Sequence, residues 1–272
     1  MSELMLRAPA PAVTPAGAGW RWLSYRSERI SGRTEIDTGG DEVCLVNLGG
    51  MLNATAAGSE HGLGDRTSPF AGLPRSLYLP PGTTCIVEGE GLIGVCAARA
   101  EAIHPVRPIP PGEVLVEVRG AGNATRQINH IIPPEFPAHR LLVVEVLTPA
   151  GNWSSYPPHK HEVERLPVEN DLEEVYAYRF EHPEAFGVQR LYSRTGDLDE
   201  TWTVRDLDVL LVPRGYHPFC AAHGYHGYYL NALAAEQRSM AAEDDPDLAW
   251  TRAAWAELER DPRVPLTGEE TP

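Results

Sequence analysis

Positive charge is what this chain has least of. Its 272 residues carry 23 Lys and Arg against 38 Asp and Glu, a net charge of −15 at pH 7. That balance argues against nucleic acid or an anionic membrane surface as a partner, because both would repel it. An anionic substrate would need a local basic pocket. Cysteine is also scarce. Cys44, Cys85, Cys96 and Cys220 each sit in an apolar run and none belongs to a CxxC pair. Free buried thiols in a reducing, cytoplasmic setting are the expectation. No apolar stretch approaches the length of a membrane span. The N-terminus lacks a basic start followed by an apolar core, so no signal peptide is expected.

Turn formers and short apolar runs are abundant. The 25 glycines and 25 prolines break the chain into runs such as Val43–Leu48, Leu92–Ala98, Leu141–Leu147, Val175–Phe180, Val209–Val212 and Tyr228–Leu233. Many short strands at regular spacing predict an all-β sandwich or barrel. Ser76-Leu-Tyr-Leu-Pro-Pro-Gly-Thr-Thr84 repeats the form of Leu210-Leu-Val-Pro-Arg-Gly-Tyr-His217: strand, Pro-x-Gly, strand. Aligning Gly82 with Gly215 sets Thr84 opposite His217, as if two copies of one barrel existed and only the second were equipped for metal. The expected division is a flexible Pro/Ala/Gly-rich lead-in over 1–19, a first barrel over 20–140, a second over 141–240, and a helix and tail over 241–272. The helix is expected over Asp247–Arg260, after Pro246, with Leu248, Trp255 and Leu258 on one face.

The chemistry concentrates in 151–180. His159 and His161 are two apart, so on a strand both imidazoles face one side and Lys160 faces away. Two imidazoles and a carboxylate with open positions suit a catalytic divalent metal such as Zn, Mn or Fe. Glu173 and Glu174 begin the next strand, and only one of them can face inward. Glu174 shares its face with Tyr176, Tyr178 and Phe180, which suits a pocket wall; Glu173 is the alternative. His217, after the Pro213-Arg214-Gly215 turn, is the fourth candidate ligand, with His223 and His226 as competitors from a Gly-flanked stretch at the expected pocket mouth.

A His-x-His pair, a Glu, then Pro-x-Gly and His resembles the two-part pattern of the cupin superfamily. Twelve residues separate His161 from Glu174, and Ala221 stands where a cupin commonly has Asn. The longer strings are more specific. Asn152-Trp-Ser-Ser-Tyr-Pro-Pro-His-Lys-His161, Glu173-Glu-Val-Tyr176, Gln189-Arg190 and Val212-Pro-Arg-Gly-Tyr-His-Pro218 resemble the 5-deoxy-glucuronate isomerase family of bacterial myo-inositol breakdown. So do Asp41-Glu-Val-Cys-Leu-Val-Asn-Leu-Gly-Gly50 and Gly72-Leu-Pro-Arg-Ser-Leu-Tyr-Leu-Pro-Pro-Gly-Thr83, and the similarity runs from about Trp20 to Leu266. A more distant likeness, to uronate ketol-isomerases that bind zinc through a similar set, also favours Glu174 over Glu173.

The resemblance implies a two-cupin fold with a short C-terminal helix. It also implies interconversion of 5-deoxy-glucuronate with 5-dehydro-2-deoxy-gluconate through an enediolate steadied by a metal, zinc before manganese or iron. Moving a carbonyl from C1 to C2 needs stabilised oxyanion charge and a group that carries a proton between adjacent carbons. Glu173, Tyr176 and His223 are the candidates for proton transfer, with Tyr178 and His226 behind them. Arg190 leads for the substrate carboxylate, then Arg214, with Tyr178 lining the substrate. Two rivals are a metal-dependent cupin dioxygenase, which would consume oxygen, and a non-catalytic sugar-acid-binding cupin. The sequence keeps all four candidate ligands and shows no basic helix-turn-helix stretch. The apolar face of the helix and free sheet edges suggest a homo-oligomer.

Overall fold

A computed structural model describes residues 4–271. Nearly all regular structure is antiparallel sheet. In the first half, Leu23–Asp37, Thr84–Arg99, Asp41–Ala56, Ser76–Leu79 and Arg107–Ile109 lie side by side in that order. In the second half, Val209–Val212, Glu173–Phe180, Gly227–Ala234, Leu141–Thr148, Arg126–Ile132 and Leu115–Arg119 form the body of a seven-stranded sheet. A four-stranded sheet built on Phe186–Tyr192 covers its inner face. Between the two sheets pack Tyr178, Tyr229, Leu191, Val204 and Phe219.

Period-two alternation explains why these strands read as continuous apolar runs. Val43 and Leu45 enter the interior of the first half, while their neighbours Cys44 and Val46 enter a core shared between the halves. In the second half, Tyr176, Tyr178 and Phe180 turn into the second interior, and Val175 and Ala177 into the shared core. Both faces are buried, so neither face of these strands is free to be polar. The four cysteines are free, three of them fully buried.

The halves repeat one register. Glu42 lies beside Ala98 and Ala98 beside Leu23; Glu173 lies beside Ala234 and Ala234 beside Leu141. The two glutamates cross over to the opposite half. Glu42 accepts the backbone N–H groups of His139, Arg140 and Leu141 at 2.8, 2.6 and 2.8 Å. Glu173 accepts those of Arg21, Trp22 and Leu23 at 2.6, 3.0 and 2.8 Å. Each carboxylate thus satisfies amides at the start of a strand of the other half, Leu141–Thr148 or Leu23–Asp37, which would otherwise be orphaned under the interface.

Three expectations about the layout change. The lead-in is not loose over its described part. Met5 and Leu6 pair with Leu210 and Val209, Met5 is buried, and Thr14 caps a one-turn helix over Pro15–Ala18. Alternation is too brief there to register as a strand. The division expected at 140 falls earlier, because Leu115–Arg119 and Arg126–Ile132 pair into the second sheet. The C-terminal helix is shorter than the apolar spacing suggested. One α-turn, Trp250–Ala253, runs into a 3-10 turn, Ala254–Glu257. No helix among the described residues is long and apolar enough to cross a membrane.

Candidate metal centre and its cavity

His161, Glu174 and His217 converge. Their ligand atoms all lie within 4.8 Å of one another, and all three residues are buried. Glu174 lies on the strand Glu173–Phe180, whereas His161 and His217 sit between strands, each aimed by a backbone carbonyl. His161 Nδ1 lies 3.2 Å from the Leu172 carbonyl, and His217 Nδ1 lies 2.9 Å from the Gly215 carbonyl. A carbonyl can only accept, so Nδ1 carries a proton in both rings; Nε2 of His217 then turns its lone pair inward, and Nε2 of His161 faces the Glu174 carboxylate. Gly215 is needed for that geometry: its φ is +87°, and a Cβ there would come within 2.7 Å of the Tyr192 carbonyl oxygen. Glu174 points one oxygen at His161 Nε2, 2.6 Å, and at His217 Nε2, 3.4 Å. Its other oxygen accepts from Asn231 Nδ2 at 2.7 Å.

His159 stands beside this trio, half-buried. Its ring centroid is 4.8 Å from that of His217 and 6.5 Å from that of His161. The two histidines do share a side, as their spacing predicted. Lys160 points elsewhere, to Glu169 at 2.7 Å.

The electrostatics suit a cation. Burial holds the His217 imidazolium down, to a pKa of about 3, and pushes that of His159 well below its usual range. Both therefore stand as neutral donors. Burial alone would lower His161 too, but the Glu174 carboxylate overrides it and raises it; burial would raise Glu174, and the imidazoles of His161 and His217 pull it down. The telling atom is His217 Nε2, which is buried and has no hydrogen-bond partner among the described residues. A buried polar atom without a partner costs about 1–3 kcal/mol. Three nitrogen and oxygen donors around one point are the set that a divalent transition metal takes, so the residues fit such an ion.

A cavity opens above these ligands. Ser155, Tyr176 and Tyr229 line it together with the apolar Ile128, Val146 and Leu233. Ser155 Oγ is 2.8 Å from the Tyr176 hydroxyl, and Tyr229 donates to Ser154 at 3.0 Å. The two tyrosine rings stack, with centroids 4.3 Å apart. Burial drives the Tyr176 phenol well above its usual pKa and also raises Tyr229, so both stay protonated.

Several expected site residues lie elsewhere. Glu173 points to the opposite face and holds the amides of Arg21, Trp22 and Leu23. His223 is in a turn before the strand Gly227–Ala234, whose far end carries Asn231 and Leu233 toward the ligands; His226 accepts from the Ala150 amide there. Neither reaches the cavity. Tyr178 lies one layer behind it, donating to Gln189 at 2.9 Å, and Gln189 in turn donates to the His217 carbonyl at 2.7 Å. Arg190 forms an exposed two-pronged pair with Asp199, and Arg214 pairs with Asp197. The cations at the cavity are instead Arg119, Arg126 and Arg252. Sequence reasoning passed over them because they come from strands and a helix assigned to other parts of the chain. Arg126 and Arg119 lie before the expected boundary at 140.

The KduI/IolB family model matches residues 7–251. The 5-deoxy-glucuronate isomerase of Geobacillus kaustophilus is 41% identical over 263 residues, 92% of this chain and 95% of that one. An IolB-like protein from Salmonella typhimurium superposes with a TM-score of 0.88 at 36% identity, over 92% of this chain and 99% of that one. A variant of the Bacillus subtilis oxalate decarboxylase superposes with a TM-score of 0.55 at 12% identity, over 86% and 74%, a likeness of fold alone that places the architecture among the two-cupin proteins. With its repeated sheets, its buried His, Glu and His, and relatives alike along nearly their whole length, the chain belongs to the KduI/IolB family.

Proposed function

We propose that this protein is an aldose–ketose isomerase converting 5-deoxy-glucuronate to 5-dehydro-2-deoxy-gluconate in the cytoplasm. A divalent cation, zinc ahead of manganese or iron, would be held by His159, His161, Glu174 and His217. The reaction class and substrate come from the relative that is 41% identical along 92% of this chain. The observation that carries the cation is the unpartnered, buried His217 Nε2 facing Glu174. When bound, the ion supplies Lewis-acid stabilisation for the negative charge that develops on the substrate oxygens as C2 loses its proton.

The chain's own residues prepare that step. The Leu172 and Gly215 carbonyls fix the tautomers of His161 and His217, and Asn231 fixes the rotamer of Glu174. Tyr176, held protonated by burial, can donate to a developing oxyanion, and Ser155 holds its hydroxyl in place, with the Tyr229 hydroxyl 3.4 Å from the same Ser155 oxygen. Of the sequence candidates for proton transfer, Tyr176 alone lines the cavity. The deciding experiment couples elemental analysis of purified protein with an isomerisation assay on 5-deoxy-glucuronate. About one metal equivalent is expected, with activity lost on chelation and restored by reloading. Full turnover by metal-stripped protein would sink the metal's role; no turnover by loaded protein would sink the substrate.

A further inference from the structure

The cavity above the candidate ligands has a cationic far wall, in a chain whose net charge is −15. Three guanidiniums reach it, and two are already matched. Arg119 forks onto Glu117 at 2.6 and 2.8 Å, and Arg252 onto Asp244 at 2.6 and 2.7 Å. Arg126 is different. Only 3% of it is exposed, and it forms no ion pair among the described residues. One of its nitrogens, Nη1, donates to the Ala124 and Tyr156 carbonyls, both at 3.0 Å; Nε and Nη2 have no acceptor among the described residues. Trp255 flanks it, with the guanidinium carbon 5.6 Å from the ring centroid. Burial, then the neighbouring Arg119, push the Arg126 guanidinium down to about 10. A buried charge without a counterion is costly, and folded proteins rarely keep one unless something arrives to match it.

The sheet register sets its distance from the metal ligands. Arg126 and Ile128 lie two apart on the strand Arg126–Ile132; across the sheet run Ile128, Val146, Tyr229 and Tyr178 in sequence. Glu174 stands on the last of those four strands. That register carries Arg126 to the level of Thr148, Gly227 and Phe180, three strands across from Glu174 and six residues along, so the two stand toward opposite ends of the sheet face while lining one cavity. A cavity lined by the candidate ligands and by a guanidinium without a counterion suits a short open-chain molecule with a carboxylate at one end and its reacting carbons at the other. A uronate has that layout, with its carboxylate at C6 and its aldehyde at C1.

We propose that Arg126 is the anchor for the substrate carboxylate, accepting it in the two-pronged geometry of a guanidinium and so placing C1 and C2 at the ligands. This rests on the reading of the substrate as a sugar acid. Arg119 and Arg252, each tied to its own carboxylate, hold the wall rather than the ligand.

The test uses metal-loaded protein and two probes, gluconate and its neutral counterpart glucitol. The wild type should bind gluconate and discriminate against glucitol. Arg126→Gln should weaken gluconate roughly 30-fold or more and raise KM for 5-deoxy-glucuronate, with metal content unchanged and glucitol unaffected. Arg126→Lys, which keeps the charge but not the fork, should fall between. Crystals of the unaltered protein with gluconate should show its carboxylate within hydrogen-bond distance of Arg126, which covers the case in which the variants do not fold. Gluconate seated elsewhere, or unchanged affinity in folded Arg126→Gln, would overturn the anchor. If the wild type binds gluconate through Arg126 yet leaves 5-deoxy-glucuronate unchanged, the anchor stands and the reaction assignment fails.

Discussion

The two halves share a register and a mutual clamp, but their interiors have diverged. Identical pairings set Val43 beside Leu79 and Ala97 in the first half, and Glu174 beside Val212 and Leu233 in the second. By the same register Leu45 corresponds to Tyr176, Val95 to Asn231, and Ile93 to Tyr229. Beyond the matching turns at Gly82 and Gly215, Thr84 corresponds to His217. The first interior is closed by Ile30, Leu45, Leu52, Leu77, Val87 and Ile93. The second exchanges that aliphatic filling for a carboxylate, imidazoles, an amide and phenols around a cavity. One architecture therefore serves as packed core or as site, according to what occupies a handful of inward positions. The shared Glu42 and Glu173 belong to the architecture; Glu174 and His217 belong to the site.

The largest effect should come from making the second half like the first. Glu174→Val should abolish metal retention and lower kcat/KM by more than about 100-fold, measured by elemental analysis and the isomerisation assay. Stability of the metal-free protein should fall by about 1–3 kcal/mol, because Asn231 and His161 lose their carboxylate partner. Retained metal and activity would break the comparison at its centre. The reverse change, Val43→Glu, should destabilise by about 3 kcal/mol or more without creating a metal site, since Thr84 offers no imidazole.

The clamp is the next test. Glu42→Ala and Glu173→Ala should each lower the unfolding free energy by about 3–5 kcal/mol in urea titrations, because each leaves three amides without an acceptor. The two losses should be similar, and folded Glu173→Ala should keep its metal. A loss of metal with unchanged stability would instead make Glu173 a ligand.

Smaller effects sharpen the picture. Asn231→Ala removes the donor that orients Glu174, and metal affinity should drop about 10–100-fold with the fold intact. Asn231→Val would match the first half and should do the same. Smallest of all, Arg190→Ala should leave KM unchanged and alter stability by no more than about 0.5 kcal/mol, because its pair with Asp199 is exposed. A raised KM would return Arg190 to the site.

Much of this was written locally. Period-two runs and Pro-x-Gly turns announce strands because alternation and turn chemistry act over a few residues. The parity that set Glu174 with Tyr176 and against Glu173 is equally local, as is the shared side of His159 and His161. What stayed illegible depends on residues far apart in the chain. The two-residue strand Met5–Leu6 exists only because Val209–Leu210 offers it an edge. Arg190 and Arg214 were close to the ligands in sequence and yet lie outside the cavity, while Arg126 reaches it from a strand placed in the wrong half.

By itself, then, the sequence determined the all-β class, the doubling and the family, and it named among its candidates His161, Glu174 and His217, whose ligand atoms lie within 4.8 Å of one another. All of these follow from short-range patterns and from strings long enough to be specific. The tertiary structure alone decided which glutamate clamps the halves together, where the chain divides, and which arginine lines the cavity with no ion pair among the described residues. Those facts arise from strand pairing between distant segments, where register rather than spacing along the chain determines what a buried charge can reach.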